Sequence, residues 1–125
     1  MKQHLAILLW ATDPDLPHLC GAPFFHAAAA AAMDAEVEIY FTSKSIRLLA
    51  RGVADRIQAG SGEEHSVYEY MRQAADFGAK FYACSQAMAA HGVKDGVLIP
   101  EITGKAGAAA FMARCLDEHW VTLTY

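Results

Sequence analysis

Hydrophobic residues along this chain follow two alternating patterns. Short, continuous apolar runs are typical of strands that are covered on both faces of a parallel sheet. Apolar residues that recur every three or four positions are typical of helices. The first of the continuous runs, at 5–12, ends at a polar, proline-containing segment at 13–17. Five runs predict strands, at 5–12, 37–41, 80–83, 96–99 and 120–124.

The segments between these runs predict five helices. The first, at 21–33, has Pro23 in its first turn, where a missing N–H costs nothing, and then six consecutive alanines. We expect the others at 43–52, 66–78, 85–92 and 103–116. Ser or Thr residues cap the second, third and fifth helices, and glycines end the second, third and fourth. A polar loop is expected at 60–65. The last helix is predicted to bury one apolar face, formed by Ala108, Phe111, Met112, Cys115 and Leu116.

Strands that alternate with helices and are joined by short loops favour a parallel sheet. We therefore expect one α/β domain over residues 1–125, with a flavodoxin-like parallel sheet of about five strands and helices on both faces. Ligands of such sheets bind at the carboxyl ends of the strands. A flavodoxin-like strand order would make the first and third strands neighbours, so that Cys84 would face the 13–20 loop.

Composition and charge exclude several classes of protein. A hydrophobic content of 54% with 19% charged residues excludes intrinsic disorder. The net charge is −4 and Lys and Arg do not cluster, which argues against nucleic acid and anionic membranes as partners. Three widely spaced cysteines do not suggest a disulfide framework. The N-terminal apolar run is too short for a secretory signal, so we expect a cytoplasmic protein.

Cys84 is the residue for which the sequence most strongly predicts chemistry. It stands between the 80–83 strand and a helix that begins at Ser85. A thiol at this junction lies beside the partial positive charge of a helix N-terminus, which favours the nucleophilic thiolate. The alternative interpretation is a small core cysteine that fills space.

The other two cysteines have weaker functional signals. Cys115 lies on the apolar face of the last predicted helix and is expected to be inert core. Cys20 stands at the start of the alanine-rich helix, where partial exposure would make it a possible second thiol. Packing remains the favoured interpretation of Cys20.

Neither a cofactor nor a metal is expected from these residues. A phosphate-bearing cofactor needs glycines or hydroxyl residues directly after the first strand, whereas the 13–17 segment has two prolines and two carboxylates. His18, Cys20 and His26 lie near one another in sequence but lack the paired spacing of structural zinc sites.

The segment Lys80-Phe-Tyr-Ala-Cys-Ser-Gln-Ala-Met-Ala-Ala-His-Gly-Val93 resembles the DsrE/DsrF-like family, which includes TusD- and YchN-type proteins. In that family an Ala-Cys pair at the end of the third strand precedes a helix of small residues. The opening apolar strand and the alanine-rich first helix extend the resemblance over nearly the whole chain.

The resemblance implies a flavodoxin-like domain that assembles into trimers or hexamers. It also implies that Cys84 carries sulfane sulfur, as a persulfide or thiosulfonate, in a cytoplasmic sulfur relay. Ser85 and Gln86 would then stabilise the sulfur anion from the start of the helix. TusA-like donors and DsrC-like acceptors are the partners that the family implies.

Two other functions stay open at this point. In a peroxiredoxin-like thiol redox protein, peroxide would oxidise Cys84 and Cys20 would resolve the product. In a non-catalytic assembly subunit of a sulfur-relay complex, Cys84 would be incidental. The high apolar content and the alanine-rich helix favour a homo-oligomer under any of these interpretations.

Overall fold

A computed structural model describes residues 2–59 and 65–125 of the chain. Within them, five parallel strands form one sheet in the order β4-β3-β2-β1-β5. The expected single-sheet α/β architecture of the flavodoxin-like type is therefore confirmed. The strands are β1 (His4–Leu9), β2 (Glu36–Phe41), β3 (Lys80–Ala83), β4 (Ile102–Lys105) and β5 (Trp120–Thr124). Most of the predicted 60–65 loop lies outside the described residues.

In the part of the chain that the structure describes, four α-helices connect the strands: α1 (Ala22–Ala32), α2 (Val67–Asp76), α3 (Ser85–Ala90) and α4 (Ala108–Cys115). The segment predicted as a helix at 43–52 is instead a 3-10 helix at Ser43–Leu49. Ser66 caps α2 in a capping box with Glu69, as its spacing indicates. Gly78 and Gly92 follow α2 and α3 with φ of +106° and +68°, which is the left-handed conformation that ends a helix.

The strand order corrects one expectation. β1 pairs with β2 and β5, whereas β3 pairs with β2 and β4, so the first and third strands are not neighbours. From β1 to β4, each new strand is added next to the preceding one in the same direction across the sheet. β5 is then added at the opposite edge, beside β1. Because the crossovers between parallel strands are right-handed, the first three place their helices on one face, and the last places α4 on the other.

The larger core lies between the sheet and the face that carries α1, α2 and α3. Phe24 of α1 packs against Phe41 and Phe81 at ring-centroid distances of 6.0 and 6.4 Å. Ala27, Ala28 and Ala31 are buried, because small side chains let α1 approach the sheet closely.

Among the helices in the described residues, only α4 covers the opposite face. Phe111 of α4 is buried against Ala6 and Tyr40. The prediction that the whole apolar face of α4 is core was wrong: Met112 is 49% exposed and Leu116 is 83% exposed. Cys115 is also exposed, because an eight-residue helix that crosses the sheet contacts it through few positions. Cys115 is therefore not a core cysteine.

The fourth strand is also displaced from its predicted position. Residues 96–99 do not join the sheet; Leu98 forms an isolated bridge with Ala50, and the Ile99 amide donates to the Leu49 carbonyl at 2.8 Å. The strand is instead Ile102–Lys105. Thr103 is not a helix cap, since its hydroxyl accepts a hydrogen bond from the Phe81 amide at 3.0 Å. An edge strand needs little apolar sequence, so its pattern is weak.

A partly buried polar cluster joins α4 to the sheet. The Arg114 guanidinium donates to both carboxylate oxygens of Glu38, at 2.9 and 3.0 Å, and the Tyr40 hydroxyl donates to Glu38 at 2.7 Å. The guanidinium also lies 4.0 Å from the centre of the Trp120 ring. Burial alone would raise the pKa of Glu38, but the hydrogen bonds from Arg114 and Tyr40 outweigh it and hold that pKa below its ordinary value. We call these four residues the Glu38 cluster.

Candidate functional site around Cys84

Cys84 lies where the sequence places it, between the end of β3 and the first residue of α3. It is the N-cap residue, and its carbonyl accepts the first hydrogen bond of the helix, from the Met88 amide at 3.0 Å. Its own amide donates to the Phe41 carbonyl of β2 at 3.1 Å. The backbone of Cys84 is thus fixed from two sides, while its side chain is partly exposed. The amides of the first turn of α3, from Ser85 onward, have no hydrogen-bond acceptor within the helix.

The end of β4 lies beside the thiol. Ala83 is the register partner of Lys105, and the Ala106 amide donates to the Ala83 carbonyl at 3.1 Å. The chain then passes Cys84 at Gly107, where a Cβ atom would lie 3.7 Å from the sulfur. Lys105 is therefore a near neighbour of Cys84 in the sheet.

Cys84 borders two cavities. One, of about 300 Å³, is open and more polar. The other, of about 270 Å³, lies between the sheet and α4 and is mostly apolar; we call it the α4 cavity. The open cavity is lined by Cys84, Ser85, Gln86, Lys105, Ala106, Gly107 and Ala108. The α4 cavity is lined by Leu8, Tyr40, Phe41, Thr42, Cys84, Gln86, Ala106, Gly107, Ala108, Phe111 and Met112.

The predicted neighbours of the thiol are found at this site. Ser85 and Gln86 are exposed, and both line the open cavity together with Cys84. Gln86 also reaches the α4 cavity. The positively charged side chain of Lys105 also lines the open cavity, where it forms an ion pair with Asp95 at 2.6 Å. Sulfur anions at Cys84 would thus have hydrogen-bond donors and a positive charge within the same cavity.

Cys20 has different surroundings. It is fully buried, and its thiol donates to the Asp13 carbonyl at 3.3 Å. Burial, with a further contribution from the Asp13 charge, raises the pKa of Cys20 to about 11. These features favour packing over the role of a second reactive thiol.

The 13–20 loop belongs to a different part of the sheet edge. It follows β1, and β2 separates β1 from β3, which corresponds to about 10 Å across the sheet. Its carboxylates are paired elsewhere: Asp13 lies 3.5 Å from the Lys44 ammonium, and Asp15 lies 3.1 Å from Arg47. The topology therefore does not bring this loop against Cys84.

Within 2–59 and 65–125, no three His, Cys, Asp or Glu side chains are placed to hold a metal ion together. Over the same ranges, every helix is too short or too polar to cross a bilayer.

The family model of the DsrE/DsrF-like family matches residues 18–121, a range that includes β2 to β4, Cys84 and α4. The chain belongs to the DsrE/DsrF-like family. Family membership supports a role in sulfur relay, with relay partners, in general terms. No curated protein sequence matches the chain significantly.

Two solved structures share the fold of this DsrE/DsrF-like protein. The YchN protein from E. coli superposes with a TM-score of 0.76 at 12% sequence identity, over the full length of both chains. MTH1491 from Methanobacterium thermoautotrophicum, a protein of unknown function, superposes with a TM-score of 0.68 at 13% identity, again over both full lengths. At these identities the likeness concerns the fold.

Sequence reasoning missed the residues that β4 and α4 bring to this DsrE/DsrF-like site. Lys105 and Gly107 were overlooked because the fourth strand was expected at 96–99. A strand placed at 102–105 would have put both at its carboxyl end, beside Cys84. Tyr40 and Met112 had no signal, since their approach to the thiol depends on how α4 crosses the sheet.

Proposed function

We propose that this protein is a cytoplasmic sulfur carrier that holds sulfane sulfur on Cys84 and passes it to a partner thiol. The observation that carries the proposal is the position of Cys84, a partly exposed thiol at a strand-to-helix junction that borders two cavities. Membership of the DsrE/DsrF-like family supports the same role. Intact-mass measurement of sulfur addition to the wild type and to Cys84→Ser tests it.

The proposed cycle consists of two thiol exchanges. The Cys84 thiolate attacks the outer sulfur of a donor persulfide; an Sγ–S bond forms, the S–S bond of the donor breaks, and the electron pair leaves with the donor thiolate. An acceptor thiolate then attacks the outer sulfur of the Cys84 persulfide, and Cys84 leaves as a thiolate. No net oxidation or reduction takes place, so no external electron carrier is required. With thiosulfate as donor, the leaving group is sulfite.

The residues around the thiol have defined roles in this proposal. The amides at the start of α3, including those of Ser85 and Gln86, would donate to the persulfide anion. Lys105 would attract anionic donors to the open cavity, and its ion pair with Asp95 would hold it beside that cavity. Cys20 has no part in the cycle, because it is buried and its pKa is raised.

Neutralising Lys105 is expected to slow sulfur loading from an anionic donor. Because the Lys105 side chain is about half exposed, water screens its charge, and Lys105→Gln should reduce the second-order rate with thiosulfate by about threefold. Lys94→Gln is the matched control, since it removes the same charge from a residue that does not line the cavity. Intact-mass time courses measure both rates. Equal slowing in the two variants would contradict a specific role for Lys105.

The partners in this proposal are a TusA-like sulfur donor and a DsrC-like acceptor. Exposure of Cys84 at the mouth of the open cavity supports transfer between proteins, because a partner's sulfur can reach it in a direct exchange. Mixed-disulfide trapping between wild-type protein and a purified TusA-like protein would test the contact.

We also propose that the protein is a homo-oligomer, a trimer or hexamer. The exposed Met112 of α4 and Leu116, the residue that follows the helix, lie one turn apart on the same side. Leu116→Glu should shift the assembly to a smaller species in light scattering at micromolar concentration, because it places a charge in the apolar contact. A wild-type monomer, or a variant of unchanged mass, would contradict this assembly surface.

A further inference from the structure

The α4 cavity has the size of a site for one small organic group. Its volume is about 270 Å³. For comparison, an apolar cavity of roughly 150 Å³ is large enough to bind benzene in another protein. The α4 cavity is smaller than the sites of most drug-sized ligands, which begin near about 300 Å³. Leu8 and Tyr40 of the sheet form one wall, Phe111 and Met112 of α4 form another, and Cys84 also borders it.

The chemistry of the cavity wall favours an apolar occupant. None of the described residues that line it carries a charge. The Tyr40 hydroxyl already donates to Glu38 at 2.7 Å, so its proton is not available to an occupant of the cavity. Thr42 and Gln86 supply the remaining polar side chains. The cation beside Cys84, Lys105, lines the open cavity and not this one.

Cys84 therefore borders both an apolar cavity and an open cavity that the Lys105 side chain lines. We infer that the α4 cavity binds the small apolar group of an organic sulfane-sulfur donor, with the sulfane sulfur directed at Cys84. This inference rests on the proposed sulfur-carrier function and specifies its substrate class. An organic thiosulfonate or persulfide with one ring or a branched alkyl group fits this description.

The reaction with an organic thiosulfonate balances without a further reactant. The Cys84 thiolate attacks the sulfane sulfur, an Sγ–S bond forms and the S–S bond of the thiosulfonate breaks. The electron pair leaves with the sulfinate, which keeps both oxygens and the organic group. The products are the Cys84 persulfide anion and the sulfinate anion, so the total charge is unchanged.

Two donors that share a reacting group test the inference. Benzenethiosulfonate and methanethiosulfonate differ in the apolar group alone, and N-acetylcysteine reports their intrinsic reactivities. After division by those reference rates, benzenethiosulfonate should load wild-type Cys84 about tenfold faster than methanethiosulfonate, because its ring is removed from water in the cavity. Equal normalised rates would overturn the inference while leaving the sulfur-carrier function intact.

Two substitutions test whether the α4 cavity causes the preference for the aromatic donor. Met112→Glu places a carboxylate at the cavity wall and should remove most of the preference for the aromatic donor. Leu116→Glu adds the same charge one turn further along the same side of α4, outside the cavity, and should keep the preference. It also controls for any change in assembly. Loss of the preference in both variants would overturn the assignment to this cavity.

A binding measurement separates failure of the cavity from failure of the chemistry. Methyl phenyl sulfone, which has no transferable sulfur, should shift the NMR signals of Phe111 and Met112 in the wild-type protein. In Met112→Glu, the shift of the Phe111 signal should be smaller. Binding without persulfide formation from any donor would keep the cavity and overturn the sulfur-carrier function. Absence of shifts at millimolar sulfone would overturn the cavity assignment.

Discussion

Replacing Cys84 by serine should abolish the mass increase of one sulfur atom that the wild-type protein shows after incubation with thiosulfate or a persulfidated donor. Serine keeps the size and the N-cap position, so the fold should be preserved. Its hydroxyl is a far weaker nucleophile than a thiolate and forms no persulfide. The expected effect is complete loss of loading, measured by intact-mass spectrometry with circular dichroism as the check on folding.

The other two cysteines provide the matched controls. Cys115→Ser removes an exposed thiol on α4 that does not line either cavity at Cys84, and it should load sulfur at the wild-type rate. Cys20→Ala removes the buried thiol and should also load, with a modest loss of stability. Full loading of Cys84→Ser, or loss of loading in Cys115→Ser, would contradict the assignment of Cys84 as the carrier.

Breaking the Glu38 cluster should destabilise the folded protein. Arg114→Met leaves the Glu38 carboxylate, whose side chain is 10% exposed, without its cationic partner. Loss of a fully buried partner costs about 3–5 kcal/mol and loss of a surface partner under about 1 kcal/mol. Because the Arg114 side chain is 35% exposed, we expect about 2 kcal/mol in urea unfolding.

Two comparisons distinguish the ion pair from lost packing. Arg72→Met removes a guanidinium that lies 5.8 Å from the Tyr68 ring on the surface, and it should cost well under about 1 kcal/mol. The double variant Glu38→Gln with Arg114→Met should recover part of the loss, because no unpaired charge remains. A double variant as unstable as the sum of the two single variants would show that the groups are not coupled.

The ion pair also predicts a pH dependence. Despite burial, hydrogen bonds from Arg114 and Tyr40 lower the pKa of Glu38 in the folded state below its ordinary value of 4.5. A lowered folded-state pKa adds stability above the ordinary value, and this stability is lost as pH falls through the folded-state pKa. The stability difference between wild type and Glu38→Gln should therefore be constant above pH 4.5 and shrink below it. A difference that grows on acidification would contradict this sign.

Local sequence signals predicted the elements that depend on local physics. The bounds of β3 and β5 match the predicted strands, and α1 and α2 begin and end within a residue or two of their predicted caps and stops. N-caps and left-handed glycines act within one turn, so one short stretch of sequence specifies them. The same signals placed Cys84 at the junction of β3 and α3, with Ser85 and Gln86 after it.

Elements that depend on distant partners were not predictable in this way. β4 is stabilised by backbone pairing with β3 and by the bond from Phe81 to Thr103, so it needs little apolar sequence of its own. The more apolar 96–99 run stays outside the sheet, and its first half belongs to a short 3-10 helix at Asp95–Val97. The exposed side of α4 is as apolar in sequence as its buried side. Which side is buried depends on how α4 crosses the sheet.

The sequence alone thus determined the α/β class, the alternation of elements and the junction at which a thiol meets a helix start, since each follows from the order of residues within a few turns. Tertiary structure decided what surrounds that thiol. Lys105 and the α4 cavity reach Cys84 because β3 lies between β2 and β4, and because α4 crosses the opposite face. Strand order and helix crossing depend on contacts between residues far apart in the chain, which no local pattern contains.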